Sequence, residues 1–336
     1  MRKVRWGVLG VANIAMTKVI PGMQRGEYTE IAAIASRDPE KSRVAAAKLG
    51  IAKAHGSYEA LLADPDIEAI YNPLPNHLHV PWSIEALEAG KHVLCEKPIG
   101  LSSAEARELI MARDKSGCKA GEAFMATSHP QWQRAREIVR SGTIGDLRAV
   151  TGVFSYFNRK PENVRNIAAI GGGALMDIGC YPINSTRMIF GEEPSRVVGI
   201  VERDPDFKTD RLTTVLLDFP SGQASFTIST QLVPYQRMQI LGTRGRIEVE
   251  VPFNAVPDRA MRLLIDDGSS VLGTGVREEQ VAVCDQYTIQ GDLFSRAILD
   301  DGPVAVPIEE AMQTMRVIET ILRSMETGRW ETLGSE

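Results

Sequence analysis

The sequence predicts an α/β protein with two parts: a doubly wound parallel sheet, then an α+β domain built on a large, mainly antiparallel open sheet. Three observations carry this. From Val4 to Phe124 short apolar strands alternate with helical runs, the pattern of parallel strands joined by helical crossovers. The first strand runs directly into Gly10-Val11-Ala12-Asn13-Ile14-Ala15, a Gly-rich strand-to-helix turn. After Leu147 the pattern changes to long alternating strands joined by hairpin-type turns such as Phe219-Pro220-Ser221-Gly222-Gln223. At 336 residues the chain is also long for a single core. The predicted boundary lies near residue 125, with a dinucleotide-binding domain over 1–125 and a substrate-binding and oligomerisation domain over 126–336.

Taken in order, Val4 to Leu9 is the first strand and a helix follows to about Gly22. Glu30 to Ala35 is a strand, Pro39 to Leu49 an Ala-rich helix, Ala52 to His55 a short strand, and Ser57 starts a helix to about Leu62. Ile67 to Tyr71 is a strand that ends in Asn72-Pro73-Leu74-Pro75-Asn76, a loop stiffened by two prolines. Val80 to Ala89 is helical, and His92 to Cys95 leads into Glu96-Lys97-Pro98. Ser102 to Ser116 is a helix capped by Ser102, with Glu105 at the capping-box position. Cys118 to Phe124 and the helix Pro130 to Ser141 close the first pattern. Strands are then expected at 147–157, 197–201, 212–219, 223–230, 237–241, 247–251 and 261–265, with a polar surface excursion over 268–281 and helices over 285–299 and 308–325.

Composition excludes several functions. A net charge of −5 lacks the basic surface that neutralising phosphates requires, so no nucleic-acid partner is expected. Cys95, Cys118, Cys180 and Cys284 show neither C-x-x-C nor zinc-like spacing and read as reduced thiols in a cytoplasmic protein. No apolar run reaches membrane-spanning length. His77 and His79, two apart in a Pro-bounded loop without a nearby carboxylate, do not make a metal site.

The chemistry-bearing residues cluster where strands end, which is where open α/β sheets bind ligands. Gly10-x-Ala12-x-x-Ala15 is a G-x-G-x-x-A turn with Ala12 in the second glycine's place. Gly10, Ala12, Asn13 and Ile14 would receive a pyrophosphate at the helix N-terminus. The second strand ends in Ser36-Arg37-Asp38. Ser36 can donate to a 2′-phosphate and Arg37 can pair with it, which favours NADP, whereas Asp38 on the ribose would allow NAD. Asn72, Pro73 and Leu74 lie where a nicotinamide is expected. Lys97 sits where a strand stops, and Pro98 excludes helical backbone there, fixing the direction in which the Lys side chain leaves. In the second part, Gly171-Gly172-Gly173-Ala174-Leu175-Met176-Asp177-Ile178-Gly179-Cys180-Tyr181-Pro182 opens a helix that Pro182 should break locally. Asp177 and Tyr181, four apart, share one face and form with Lys97 a set able to move a proton. A Tyr packed with its hydroxyl on Asp177 is the structural alternative.

The order of these pieces resembles the glucose–fructose oxidoreductase/inositol dehydrogenase (Gfo/Idh/MocA) family. The matching residues are Gly10-x-Ala12-x-x-Ala15, Ser36-Arg37, Pro75-Asn76-x-x-His79, Glu96-Lys97-Pro98, His129-Pro130-Gln131 and the Gly171–Pro182 stretch. Tyr181, where inositol dehydrogenases carry His, is similar to the branch of glucose–fructose oxidoreductase, xylose dehydrogenase and dihydrodiol dehydrogenase. The resemblance implies a nicotinamide cofactor on a Rossmann domain, with Asn76, His79, Glu96, Lys97 and Pro98 at its nicotinamide end. It implies that Lys97 contacts the nicotinamide ribose and substrate, that Tyr181 exchanges the proton and that Asp177 orients the substrate. Where that branch has Tyr and Arg, this chain has Ala126-Thr127-Ser128, and Arg165 is expected to contribute the positive charge. The expected activity is hydride transfer between NADP(H) and a sugar, polyol or related carbonyl compound. The rival is a catalytically silent nucleotide-sensing regulator of the same fold. A homodimer or homotetramer joined through the C-terminal sheet is expected.

Overall fold

A computed structural model describes residues 2–334; Met1, Ser335 and Glu336, included in the predicted domain spans, lie outside the described residues. The chain divides into two units, one of residues 2–128 with 285–313 and one of 129–284 with 314–334.

The first unit is built on β1 (Val4–Leu9), α1 (Ile20–Gln24), β2 (Thr29–Ala35), α2 (Pro39–Leu49), β3 (Lys53–His55), α3 (Tyr58–Leu62), β4 (Ala69–Asn72), α4 (His79–Glu88), β5 (His92–Glu96), α5 (Ser103–Ser116), β6 (Ala120–Ala123) and α6 (Met125–Ser128). The strands form one parallel sheet in the order β3-β2-β1-β4-β5-β6. Every residue of β4 and β6 is buried, as expected of strands covered on both faces. Helix starts follow the predicted chemistry. Ser57 and Ser102 accept from the amides of Ala60 and Glu105, and Asp38 accepts from those of Glu40 and Lys41.

The second unit contains α7 (Pro130–Arg140), β7 (Leu147–Phe157), α8 (Cys180–Phe190), β8 (Arg196–Arg203), β9 (Asp210–Phe219), β10 (Gly222–Ser229), β11 (Gln231–Gly242), β12 (Arg246–Val249), β13 (Met261–Asp266) and β14 (Val276–Val281). After α9 (Gln286–Leu299), which belongs to the first unit, α10 (Ile308–Thr327) carries the chain back, and β15 (Glu331–Thr332) follows. The nine strands run β14-β13-β12-β11-β7-β10-β9-β8-β15, all neighbours antiparallel except β10 and β7. From Thr213 to Phe219 burial alternates strictly, with Val215 and Leu217 inside and Thr214 and Leu216 outside.

Two expectations are corrected. The predicted continuous domain over 126–336 is interrupted, because residues 285–313 return to the first unit. The cause is the face of β1 and α1 that α9 covers. Trp6, fully buried, donates from Nε1 to Ser295 Oγ at 3.0 Å and packs on Phe294 at 5.5 Å between ring centroids. Asp292 accepts the amides of Glu27 and Tyr28, at 3.0 and 2.9 Å. Truncating a buried aromatic of this kind costs roughly 3–5 kcal/mol, enough to bind a distant helix to the strand it covers. The predicted surface excursion over 268–281 holds the edge strand β14, whose Val-Arg-Glu-Glu-Gln-Val sequence is mostly exposed and therefore shows no apolar alternation.

Candidate active site

In the first unit the strand order reverses between β1 and β4, so the crevice at their carboxyl ends is the ligand position of this sheet. Gly10 closes β1 at φ +80°, and a Cβ there would stand 3.0 Å from Leu74 Cδ2. The glycine turn is therefore packed directly on the loop after β4, and both its backbone conformation and the close approach require glycine. Ala12 and Ile14 are partly exposed and Asn13 exposed, and the helical turn over Ala15–Val19 begins behind them.

The loop after β4 is held from within. Asn72 is fully buried; its Nδ2 donates to His79 O at 2.9 Å and Ser83 Oγ at 3.1 Å, and its Oδ1 accepts from Leu74 N. Only 1% of His79 is exposed, and its two ring nitrogens lie 2.7 Å from Pro98 O and 2.6 Å from Leu74 O. Burial pulls the imidazole pKa down to about 4 against those two carbonyls, which favour the charged ring. His79 thus ties the Asn72–Pro75 loop to the Lys97–Pro98 turn. On the same edge Tyr71 Oη donates to Glu96 Oε1 at 2.6 Å and Lys97 N to Glu96 Oε2 at 3.3 Å. The Lys97–Pro98 peptide bond is cis. Lys97 is partly exposed, as are Glu96 and Asn76, whereas Pro98 is buried.

At the end of β2, Ser36 is buried and its hydroxyl accepts from Asp38 N at 3.2 Å. The Asp38 carboxylate is committed to the first turn of α2 as its cap. Arg37, between them, is exposed.

In the second unit the predicted glycines do steric work. Gly173 has φ +121°, and a Cβ on Gly172 would come within 2.7 Å of the carbonyl oxygens of Arg165 and Ile167. Gly173 N in turn donates to Arg165 O at 2.9 Å. This brings the loop bearing Arg165 against the helix entry. Asn163 Oδ1 shapes that loop by accepting from Arg165 N at 3.0 Å. Leu175–Gly179 forms a widened π turn and regular helix starts at Cys180, so the break expected from Pro182 falls just ahead of it. Asp177 Oδ2 receives Arg165 Nε at 2.9 Å and Tyr156 Oη at 2.5 Å. The Asp177 charge holds the Arg165 guanidinium firmly protonated against its partial burial, and burial with the same charge raises the Tyr156 phenol well above its usual range. Tyr156 is thus a fixed donor. Tyr181, one turn after Asp177, is 6% exposed, with its ring at 5.6 Å from Phe154 and 5.1 Å from Phe253.

The fold thus joins Asn72, Leu74, His79, Glu96 and Lys97 in one unit and Arg165, Asp177 and Tyr181 in the other. Sequence reasoning missed Tyr156, the last residue but one of a long strand, whose pattern announces only sheet. It also placed His79 at the cofactor, while both ring nitrogens face backbone carbonyls, Pro98 O and Leu74 O. Among the described residues no group of three His, Cys, Asp or Glu side chains could hold a metal ion, and no helix is long and apolar enough to cross a membrane.

Known proteins share this arrangement along the whole chain. Residues 4–124 match the model of an oxidoreductase family with an NAD-binding Rossmann fold, and residues 132–248 match that of the GFO/IDH/MocA C-terminal domain. An uncharacterized oxidoreductase, ORF334, of Rhizobium meliloti is 48% identical, with 99% of this chain and 100% of the relative covered. D-xylose 1-dehydrogenase (NADP(+)) 2 of Haloferax volcanii is 36% identical over 96% of this chain and 98% of its own. The crystal structure of aldose-aldose oxidoreductase from Caulobacter crescentus, complexed with glycerol, superposes with a TM-score of 0.89 at 26% identity, covering 99% of this chain and 100% of that one. This chain belongs to the GFO/IDH/MocA family of NAD(P)-dependent oxidoreductases.

Proposed function

We propose that this protein is an NADP(H)-dependent dehydrogenase or reductase of an aldose, polyol or closely related carbonyl compound. The observation that carries the reading is the carboxylate of Asp177, fixed by Arg165 and Tyr156 one helical turn before Tyr181. A regulator that only senses a nucleotide has no use for an oriented carboxylate beside a phenol. The xylose and aldose relatives support a sugar as substrate.

The nicotinamide cofactor fits the first unit, because the Gly10 turn leaves no room for a Cβ and opens at the reversal of strand order. When bound it supplies the hydride acceptor or donor. Asp38 is occupied as a helix cap, which leaves Ser36 and Arg37 to receive a 2′-phosphate, and this favours NADP over NAD. Gly10, Ala12, Asn13 and Ile14 line the pyrophosphate turn. Asn72, Pro73, Leu74, Asn76, Glu96 and Pro98 shape the nicotinamide end, and His79 holds that end together from behind. Tyr181 exchanges the proton of the substrate hydroxyl. An ordinary phenol pKa near 10 is too high for an efficient base, and an ammonium beside it, the role proposed for Lys97, would favour the phenolate. Asp177 and the exposed side of Arg165 orient the sugar hydroxyls. We place the protein in the cytoplasm, in keeping with four cysteines none of which forms a disulfide. We also assign it a homodimer or homotetramer joined through the second unit's sheet, where Ile200, Leu216 and Val233 are exposed.

A panel of aldoses, ketoses and polyols with NADP(H) and NAD(H), followed at the nicotinamide absorbance, tests the reading. Turnover of at least one sugar, with NADP preferred, is expected. Tight cofactor binding without turnover of any member would overturn it in favour of a sensing role.

A further inference from the structure

The turn that carries Asp177 starts with a difficulty. The first amides of any helical segment have no partner within it, and the π geometry over Leu175–Gly179 leaves the entry irregular. One of these amides is answered from a distant strand. Asp210, the first residue of β9, accepts Leu175 N at 2.7 Å with Oδ2, and Thr213 Oγ1 donates to the same oxygen at 3.1 Å. The other oxygen, Oδ1, stands 1.9 Å from where a Cβ on Gly173 would lie, so Asp210 and Gly173 fit only as a pair. Both carboxylate oxygens therefore press on the segment between the glycines and Asp177.

Two features single this carboxylate out. The pairing of β8 with β9 slips between Glu202 and Arg203, and that irregularity sets Arg203 opposite Asp210 at the end of the ladder. Irregularities of this kind re-aim a side chain at the edge of a functional site. Asp210 is also 95% buried, and a neutral Asn could accept the same amide without that desolvation. The charged and titratable groups facing it are Arg203 from β8 and Tyr156 from β7; its own strand offers Thr213, and the glycine turn has no ionisable group. Burial raises its pKa to about 6.

We infer that Asp210 is a positioning residue for the reaction: by holding the Leu175 amide and seating Gly173, it sets the direction in which Asp177 and Tyr181 leave the helix entry. This rests on the proposed role of Asp177 and Tyr181. Its ionised form accepts both hydrogen bonds at full strength, and protonation weakens them, so the active arrangement loosens as pH falls through the Asp210 titration.

The test uses the full chain with Asp210→Ala, Asp210→Asn and Gly173→Ala. The first readout needs no substrate: amide hydrogen exchange over residues 174–181, with cofactor affinity measured alongside. Roughly tenfold or faster exchange of that segment is expected in Asp210→Ala and Gly173→Ala, substantial protection in Asp210→Asn, and unchanged cofactor affinity in all three. The second readout is turnover. A small misplacement of reacting groups costs up to about a hundredfold, so kcat should fall roughly ten- to a hundredfold in Asp210→Ala and Gly173→Ala with KM little changed. Asp210→Asn should recover most of kcat at pH 8 and lose the acidic limb of the wild-type profile. Wild-type exchange and kcat in Asp210→Ala overturn the inference, as does equal damage by Ala and Asn with the acidic limb intact. If Asp210→Ala does not fold, the Asn and Gly173→Ala variants decide alone. Absence of sugar turnover in the wild type would count against the proposed function, while the exchange readout still judges Asp210.

Discussion

The two units hold their candidate residues by different means. In the first unit the nicotinamide end is held by near neighbours in sequence: Asn72, Leu74, His79, Glu96 and Pro98 meet through backbone groups within one stretch of the parallel sheet. In the second unit Tyr156, Arg165 and Asp177 come from three separate segments and meet through side chains, and Asp210, from a fourth, holds the Leu175 amide. In the first unit the polar side chains of Asn72 and His79 are directed at backbone groups of the same framework. In the second unit Arg165, Tyr156 and Asp177 fix one another, and under the proposed function it is there that specificity and proton transfer would be tuned.

This contrast can be broken experimentally at three strengths. The largest effect belongs to the second unit. Tyr181→Phe should lower kcat by about 10²–10⁴-fold, the usual contribution of general acid–base catalysis, with cofactor affinity nearly unchanged. The pH–rate profile should also lose the pKa attributable to the Lys97–Tyr181 pair; full turnover with an unchanged profile would move the proton elsewhere. The intermediate effect belongs to the first unit. Arg37→Ala should weaken NADP(H) binding roughly ten- to a hundredfold, since a charge-assisted hydrogen bond contributes about 1.5–3 kcal/mol, and should leave NAD(H) almost untouched. Equal losses in a calorimetric titration of the two cofactors would refute the 2′-phosphate role. The smallest effect sets the units against each other through pH. His79, with a folded pKa of about 4, binds its proton more readily when unfolded, so its contribution is complete above about pH 6.5 and is lost as pH falls toward 4. Asp210, raised to about 6, has the opposite sign: it favours the folded state at low pH and opposes it as pH rises through 6. Each shift corresponds to about 3 kcal/mol at most. In urea titrations, the stability advantage of wild type over His79→Asn should shrink from pH 7 to pH 5, while Asp210→Asn should be stabilising relative to wild type at pH 8 and keep only roughly half of that advantage at pH 5. Parallel pH dependence of both differences would show that the two groups do not oppose each other.

Much of the first unit was legible because its signals are local. Gly10 to Ala15, the two prolines around Leu74 and the Glu96-Lys97-Pro98 break each carry their backbone consequence in adjacent residues, and the strands they punctuate fall within a residue or two of their expected ends. The second unit was legible as sheet but not as site. Tyr156 reads as one more alternating aromatic, and Asp210 lies just ahead of the strand expected at 212–219; only the fold brings them to Asp177 and Leu175. Arg165 was reached from the expected need for a cation, and its ion pair with Asp177 gives that expectation a partner. The return of α9 to β1 was invisible for the same reason, since Trp6 and Ser295 share no local pattern.

That return has a consequence for how the protein is made. The face of β1 that carries Trp6 is covered by Phe294 and Ser295, which lie beyond residues 129–284 of the second unit in the chain. During synthesis the parallel sheet must therefore wait, one apolar side open, until residues 285–313 have been made. No cut near residue 125 yields a complete nucleotide-binding module, and recombining this part with another partner requires transplanting residues 285–313 with it.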